Sequence, residues 1–120
     1  MNPRIDGTKF GSITIDGSKY CYDVAIRLDG KVKKRKKGLS KAVYGTSHKI
    51  SLDEAKHVYE ENARHLIIGA GHYGLVKLSK EAAEFFRQHD CSVEILPMPR
   101  AVRSWNKTKR HVIGLFHVTC

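Results

Sequence analysis

The sequence predicts an α/β domain, a mixed sheet covered by helices with an N-terminal β-hairpin or meander extension. Three observations carry that prediction. Tyr20, Tyr22, Val24, Ile26 and Leu28 fall on alternate positions, the period of a strand with one buried face. From residue 51 onward, helix and strand signals alternate as α-β-α-β-α-β. The closing stretch "HVIGLFHV" at 111–118 is apolar at both parities, as a strand buried on both faces must be. At 120 residues, the span 1–120 is expected to form a single domain.

Each element has its own signal. Ile13 and Ile15 alternate with polar residues, and "DGS" at 16–18 supplies a turn. The Tyr20–Leu28 run follows, and Asp29-Gly30 marks a second hairpin turn. "KVKKRKK" at 31–37 starts with Val32 inward and then becomes basic on both faces, which suits an edge strand and not a central one. Residues 38–50, "GLSKAVYGTSHKI", have little periodicity and read as a connection. Ser51 with Glu54 forms a capping box, and Leu52, Ala55, Val58, Tyr59 and Ala63 share one helical face. "HLIIG" at 65–69 reads as a short buried strand, and "LVKL" at 75–78 as a strand or tight apolar turn. Ser79 caps a second helix whose Ala82, Phe85, Phe86 and His89 align. "CSVEIL" at 91–96 is a strand, and a third helix opens at Pro99. The last strand, 111–118, is the expected middle of the sheet.

The totals narrow the function without choosing it. Lys and Arg number 22 against 12 Asp and Glu, a net charge of +10 that attracts polyanions, acidic proteins or anionic surfaces. Cys21, Cys91 and Cys120 are three widely spaced cysteines with no C-x-x-C, which predicts a reducing, cytoplasmic setting and neither disulfides nor a structural zinc site. No apolar run approaches the ~20 residues of a membrane helix, so no membrane insertion is expected. The N-terminus carries no apolar signal segment.

"GAGHYG" at 69–74 has the G-x-G-x-x-G spacing of a dinucleotide loop behind a strand, and Glu94 lies where a ribose-binding acid would belong. In that fingerprint the helix starts within the loop, its N–H groups facing the diphosphate. Here Leu75, Val76 and Leu78 intervene before the Ser79 cap. The expected role is therefore a sharp backbone turn, at most the wall of a pocket, and no cofactor is expected.

Several motifs in order, "FGSITIDGSKY", "YGTSHKI", "LIIGAGHYG", "AVRSWN" and "GLFHVTC", resemble the MTH-type domain family of unknown function. That family includes the adipogenesis-associated domain proteins and is related to a eukaryotic branch regarded as a mitochondrial assembly factor for NADH dehydrogenase. The resemblance spans about Phe10 to Cys120. It implies a three-layer α/β fold with the C-terminal strand inside the sheet, and it supplies no reaction. The matching positions are His48, Gly69, Gly71, Gly74, Ala101, Asn106, His117, Thr119 and Cys120. The basic stretch 31–37 departs from the family pattern.

Three candidate sites follow. A strand period of two puts His117 and Thr119 on one face and Cys120 on the other, so a His-Cys dyad is not expected there. A carboxylate closing the chain beside Cys120 also disfavours an activated thiolate. The sequence thus favours a packed strand end over a nucleophile or a metal ligand. His48, among Thr46 and Ser47, reads first as the fastening of a long connection. With Gly69, Gly71, Gly74 and His117 it forms the candidate for a small anionic ligand or an enzyme site, a corner of donors without a carboxylate. Asp23 and Asp90 show no paired-carboxylate pattern. Lys31, Lys33, Lys34, Arg35, Lys36 and Lys37 read as an edge guard or, with Arg100, Arg103, Lys107, Lys109 and Arg110, as a surface for nucleic acid or another polyanion, with Trp105 and Tyr44 able to stack on bases. Since no catalytic constellation closes, the leading expectation is a non-catalytic protein-interaction or assembly module with a protein partner.

Overall fold

The computed structural model describes residues 2–120. The chain runs β1 (Ile5–Lys9), β2 (Ser12–Ile15), β3 (Ser18–Tyr20), β4 (Val24–Ile26), β5 (Val32–Lys34), α1 (Gly38–Tyr44), β6 (Lys49–Ile50) and α2 (Leu52–Val58). It continues through β7 (His65–Gly69), β8 (Lys77–Leu78), α3 (Lys80–Gln88), β9 (Ser92–Leu96), α4 (Met98–Lys107) and β10 (Val112–Phe116). A five-stranded sheet in the order β5-β4-β10-β7-β9 forms the centre, and β1-β2-β3 form a second, antiparallel sheet. The central sheet is mixed. β10 runs antiparallel to β4 and parallel to β7, and β7 runs parallel to β9. The predicted α/β architecture, with the last strand in the middle, is the one observed.

Side-chain alternation along β10 divides the core in two. Ile113 and Leu115 join Leu66, Ile68, Ala55 and Phe86 under α2 and α3. Val112 and Phe116 join Ile67, Trp105 and the isoleucines of β1 and β2 under α4 and the small sheet. The result is three layers. Gly114 lies between Val112 and Phe116 because the rings of Trp105 and Phe116 occupy the space a side chain would need. A Cβ there would stand 2.6 Å from Phe116 and 2.9 Å from Trp105.

Local chemistry sets most boundaries as expected. Ser51 accepts the Glu54 amide at 3.1 Å, and Ser79 accepts that of Ala82, so both caps are real. Gly30, at φ +87°, closes the β4–β5 hairpin. Four expectations are corrected. The Tyr20–Leu28 run is not one strand: it breaks between β3 and β4, where the chain passes from the small sheet to the central one. Residues 38–44, expected as connection, form α1. That helix has no side-chain cap and no acidic residue in its first turn, so it lacks the usual start signals. α2 ends at Val58, with Tyr59 already extended. An additional strand, β1, precedes Ile13 and pairs with β2.

Gly114→Ala should overpack the Trp105–Phe116 contact and destabilise the fold by roughly 1–3 kcal/mol. Urea unfolding is the measurement. An unchanged midpoint would show that the two rings can yield without cost.

Candidate functional site

The register of the central sheet creates the site. Val24 pairs with both Phe116 and Lys34. One step further along each strand, Asp23 comes opposite both His117 and Arg35. The Arg35 amide still donates to the Asp23 carbonyl at 2.9 Å, so the row continues the ladder. Arg35, Asp23 and His117 thus stand side by side at the sheet's end, facing α1 and α2.

Arg35 is the hub. Its guanidinium makes a two-bond fork to Glu54, 2.6 Å from Nε to Oε2 and 3.0 Å from Nη2 to Oε1. It also donates to Asp23 Oδ2 at 3.0 Å and to the Ser47 carbonyl at 2.8 Å. Its side chain is fully buried. Burial alone would lower the Arg35 pKa, but the hydrogen bond and charge of Glu54, with those of Asp23, raise it above its ordinary value. Ser40 extends the network by donating to Glu54 and accepting the Ser51 amide. Glu54 therefore completes only half of the expected capping box, since its carboxylate serves Arg35.

Asp23 carries the network to His117. Its Oδ2 accepts from His117 Nδ1 at 2.7 Å, and its Oδ1 accepts the Val118 amide at 2.9 Å. Burial pushes the Asp23 carboxyl up. The hydrogen bonds from His117 and Val118, and the charges of His117 and Arg35, outweigh that and hold it below its ordinary value. With Nδ1 turned to Asp23, His117 directs Nε2 to Thr119 Oγ1, 3.1 Å away.

Cys120 and His48 complete the corner. β10 ends at Phe116, so residues 117–120 escape the strand period and Cys120 shares a corner with His117. That corrects the expectation of opposite faces. The Sγ of Cys120 lies 3.9 Å from His48 Nε2, and the His48 and His117 rings meet edge-on with centroids 5.3 Å apart. One donor atom each from His48, His117 and Cys120 falls within a set spanning 4.8 Å, so among the described residues these three could together hold a metal. His48 is also fastened as expected, its amide donating to Thr46 Oγ1 at 3.1 Å. The corner is not free of carboxylate: Asp23 stands directly behind His117.

The glycine loop embraces this segment. The amides of His72 and Leu75 donate to the carbonyls of Thr119 and Cys120, and the His117 amide donates to that of Gly69. Ala70, Gly74 and Val76 give their amides to Leu96, Gly71 and Ala70. Five amides of the loop are thus turned to the chain itself, and α3 begins only at Lys80. Gly71 sits at φ +92°, and a Cβ on it would collide with the Cys120 backbone and the His117 ring. Gly69 is required for a different reason: Met98 and Phe116 close over it. Gly74 makes the turn itself, at φ +66°.

The basic stretch divides. Lys31, Lys33, Lys34, Lys36 and Lys37 are exposed on or beside the edge strand β5, whereas Arg35 is buried and leaves the polyanion candidate. Trp105, 1% exposed, donates to the Pro3 carbonyl and cannot stack on a base. Tyr44 is engaged by Glu81 and Lys49. Sequence reasoning missed Asp23 and the buried role of Arg35. The available signal was a single arginine among lysines, because only its planar fork serves two carboxylates in a buried site.

A family model described as "Protein of unknown function (DUF498/DUF598)" matches residues 5–117, nearly the whole of this fold. The chain belongs to the DUF498/DUF598 family. Among solved structures, MT938 shares 31% identity, covers 99% of this chain and 100% of its own, and superposes with a TM-score of 0.83. The conserved hypothetical protein PH1505 from Pyrococcus horikoshii OT3 is 28% identical over 98% of this chain and 99% of its own, with a TM-score of 0.88. A Mth938-like domain from Bordetella pertussis is alike in fold alone, at 16% identity, 97% and 85% coverage and a TM-score of 0.64. The MTH-type resemblance therefore stands. No curated protein matches the chain.

In this DUF498/DUF598 member, Arg35→Met should cost roughly 3–5 kcal/mol, since Asp23 and Glu54 would lose their common partner. Lys34→Met, one residue away on the exposed edge, should stay within about 0.5 kcal/mol. Equal effects in urea unfolding would refute the hub. Folding depresses the Asp23 pKa, so its contribution is present above the ordinary value of 3.8 and lost as pH falls through the lower folded value. The unfolding midpoint should therefore drop at the acid end, and less steeply in Asp23→Asn.

Proposed function

We propose that this DUF498/DUF598 protein is a cytoplasmic, non-catalytic interaction or assembly module, docking an acidic segment of a partner protein beside its C-terminal segment. One observation carries the reading: an exposed aromatic pair stands on the two loops whose backbone binds residues 118–120. Phe10 is 59% and Tyr73 72% exposed, with ring centroids 6.0 Å apart and the His72 ring 5.9 Å from Phe10. Leu75 is exposed beside them in sequence.

The backbone beneath these side chains is anchored. Gly11 donates to the Val118 carbonyl at 2.7 Å, and His72 and Leu75 bind the next two carbonyls. Aromatic side chains carried on an anchored backbone have few torsions to lose on association, one reason such residues dominate binding energy at interfaces. The net charge of +10 supplies long-range attraction to an acidic partner and sets an ionic-strength dependence on its arrival. Among the described residues, no helix is long and apolar enough to cross a membrane.

Phe10→Ser with Tyr73→Ser should keep the wild-type circular dichroism and melting temperature yet lose the co-purifying partner by at least tenfold. Added salt should slow association of the wild-type protein. Equal partner recovery with the double variant, or a lone chain after gentle lysis, would overturn the reading.

A further inference from the structure

We propose that His48, His117 and Cys120 form a transition-metal site for Zn²⁺, with Asp23 as the outer partner that orients His117. The site goes beyond the docking surface and does not depend on it.

The donor set comes from two distant regions of the chain, and its ligand atoms already lie within 4.8 Å of one another. Around a tetrahedral zinc, with bonds of about 2.1 Å to nitrogen and 2.3 Å to sulfur, donors stand roughly 3.5 Å apart. Small side-chain rotations close that difference. His48 and Cys120 are half-buried at the rim, whereas His117 is buried behind them, so an ion can enter from solvent and meet a fixed third ligand. Two imidazoles and a thiolate select zinc over magnesium or calcium, which require oxygen ligands.

The surroundings fit a ligated histidine. The His117 Nδ1 hydrogen bond to Asp23 Oδ2 occupies that nitrogen, so Nε2 is the one open to an ion. A carboxylate behind a ligating imidazole fixes its tautomer and raises its basicity. Asp23 is itself positioned by the Val118 amide and Arg35. Thr119 Oγ1 faces Nε2 at 3.1 Å and must swing aside as the ion enters.

Charge also favours a cation. Glu54 neutralises Arg35, which leaves the Asp23 carboxylate and the Cys120 thiolate as negative groups facing the two positive charges of zinc. Binding releases the thiol proton to solvent as the sulfur–zinc bond forms. Three protein ligands leave a fourth position for water or an incoming donor.

The test uses the full chain under reducing conditions in a Cys21→Ser background, which removes the exposed thiol. Cys91 does not compete, being buried with its thiol pushed up to about 11. Zinc is titrated against a chromophoric chelator, and Co²⁺ serves as the spectroscopic probe. One equivalent per chain is expected, with cobalt showing tetrahedral d–d bands and thiolate charge transfer. Cys120→Ser should remove the charge-transfer band, His48→Gln should weaken zinc at least tenfold, and Asp23→Asn should weaken it about 10–100-fold. Should Asp23→Asn fail to fold, the two rim variants decide. Uptake below one equivalent at micromolar zinc would overturn the site, as would zinc affinity and a cobalt spectrum that survive Cys120→Ser combined with His48→Gln.

Discussion

The buried guanidinium of Arg35 is the constraint from which the rest of the site follows. It lies between the Asp23 and Glu54 carboxylates, with no exposed side-chain surface, and so ties the edge of the central sheet to α2. Two acids and one cation buried together stay low in energy only while every polar atom has a partner. That requirement is met throughout: among the described residues no buried side-chain nitrogen or oxygen lacks one. Fixing Asp23 in this way fixes His117, and His117 fixes the orientation of the corner it shares with His48 and Cys120.

A second constraint comes from the backbone. The glycine loop wraps the segment after β10, accepting from one residue and donating to others, so the strand end is a built structure. Gly71 allows the closest approach, since a Cβ at that position would meet Cys120 and His117. The loop thereby acts as a clasp. It also places His72 and Tyr73 outside, next to Phe10, so the polar corner and the aromatic surface are two faces of one construction.

Much of the fold was legible because it rests on local patterning. The caps at Ser51 and Ser79, the turn at Gly30 and the two-sided burial of β10 each have a sequence signature tied to a nearest-neighbour cause. α1 had none, lacking a cap and an acidic first turn, and was invisible for that reason. Of the site, His48, Gly71 and His117 were recognised and do come together. Asp23 was hidden within a period-two run that seemed to continue through it, and Arg35 within a run of lysines. Cys120 was assigned to the wrong face because the strand period was carried past Phe116, where the strand stops.

The sequence by itself determined the α/β class, the order of elements from Ser51 onward and the central place of the last strand, since periodicity and capping depend on residues only a few positions apart. Only the tertiary structure decided that Arg35 turns inward, that Asp23 stands between it and His117, and that His48 and Cys120 meet. Those contacts join residues 12, 94 and 72 positions apart, and they depend on strand register and on where a strand ends. Neither is written in any local stretch of the chain.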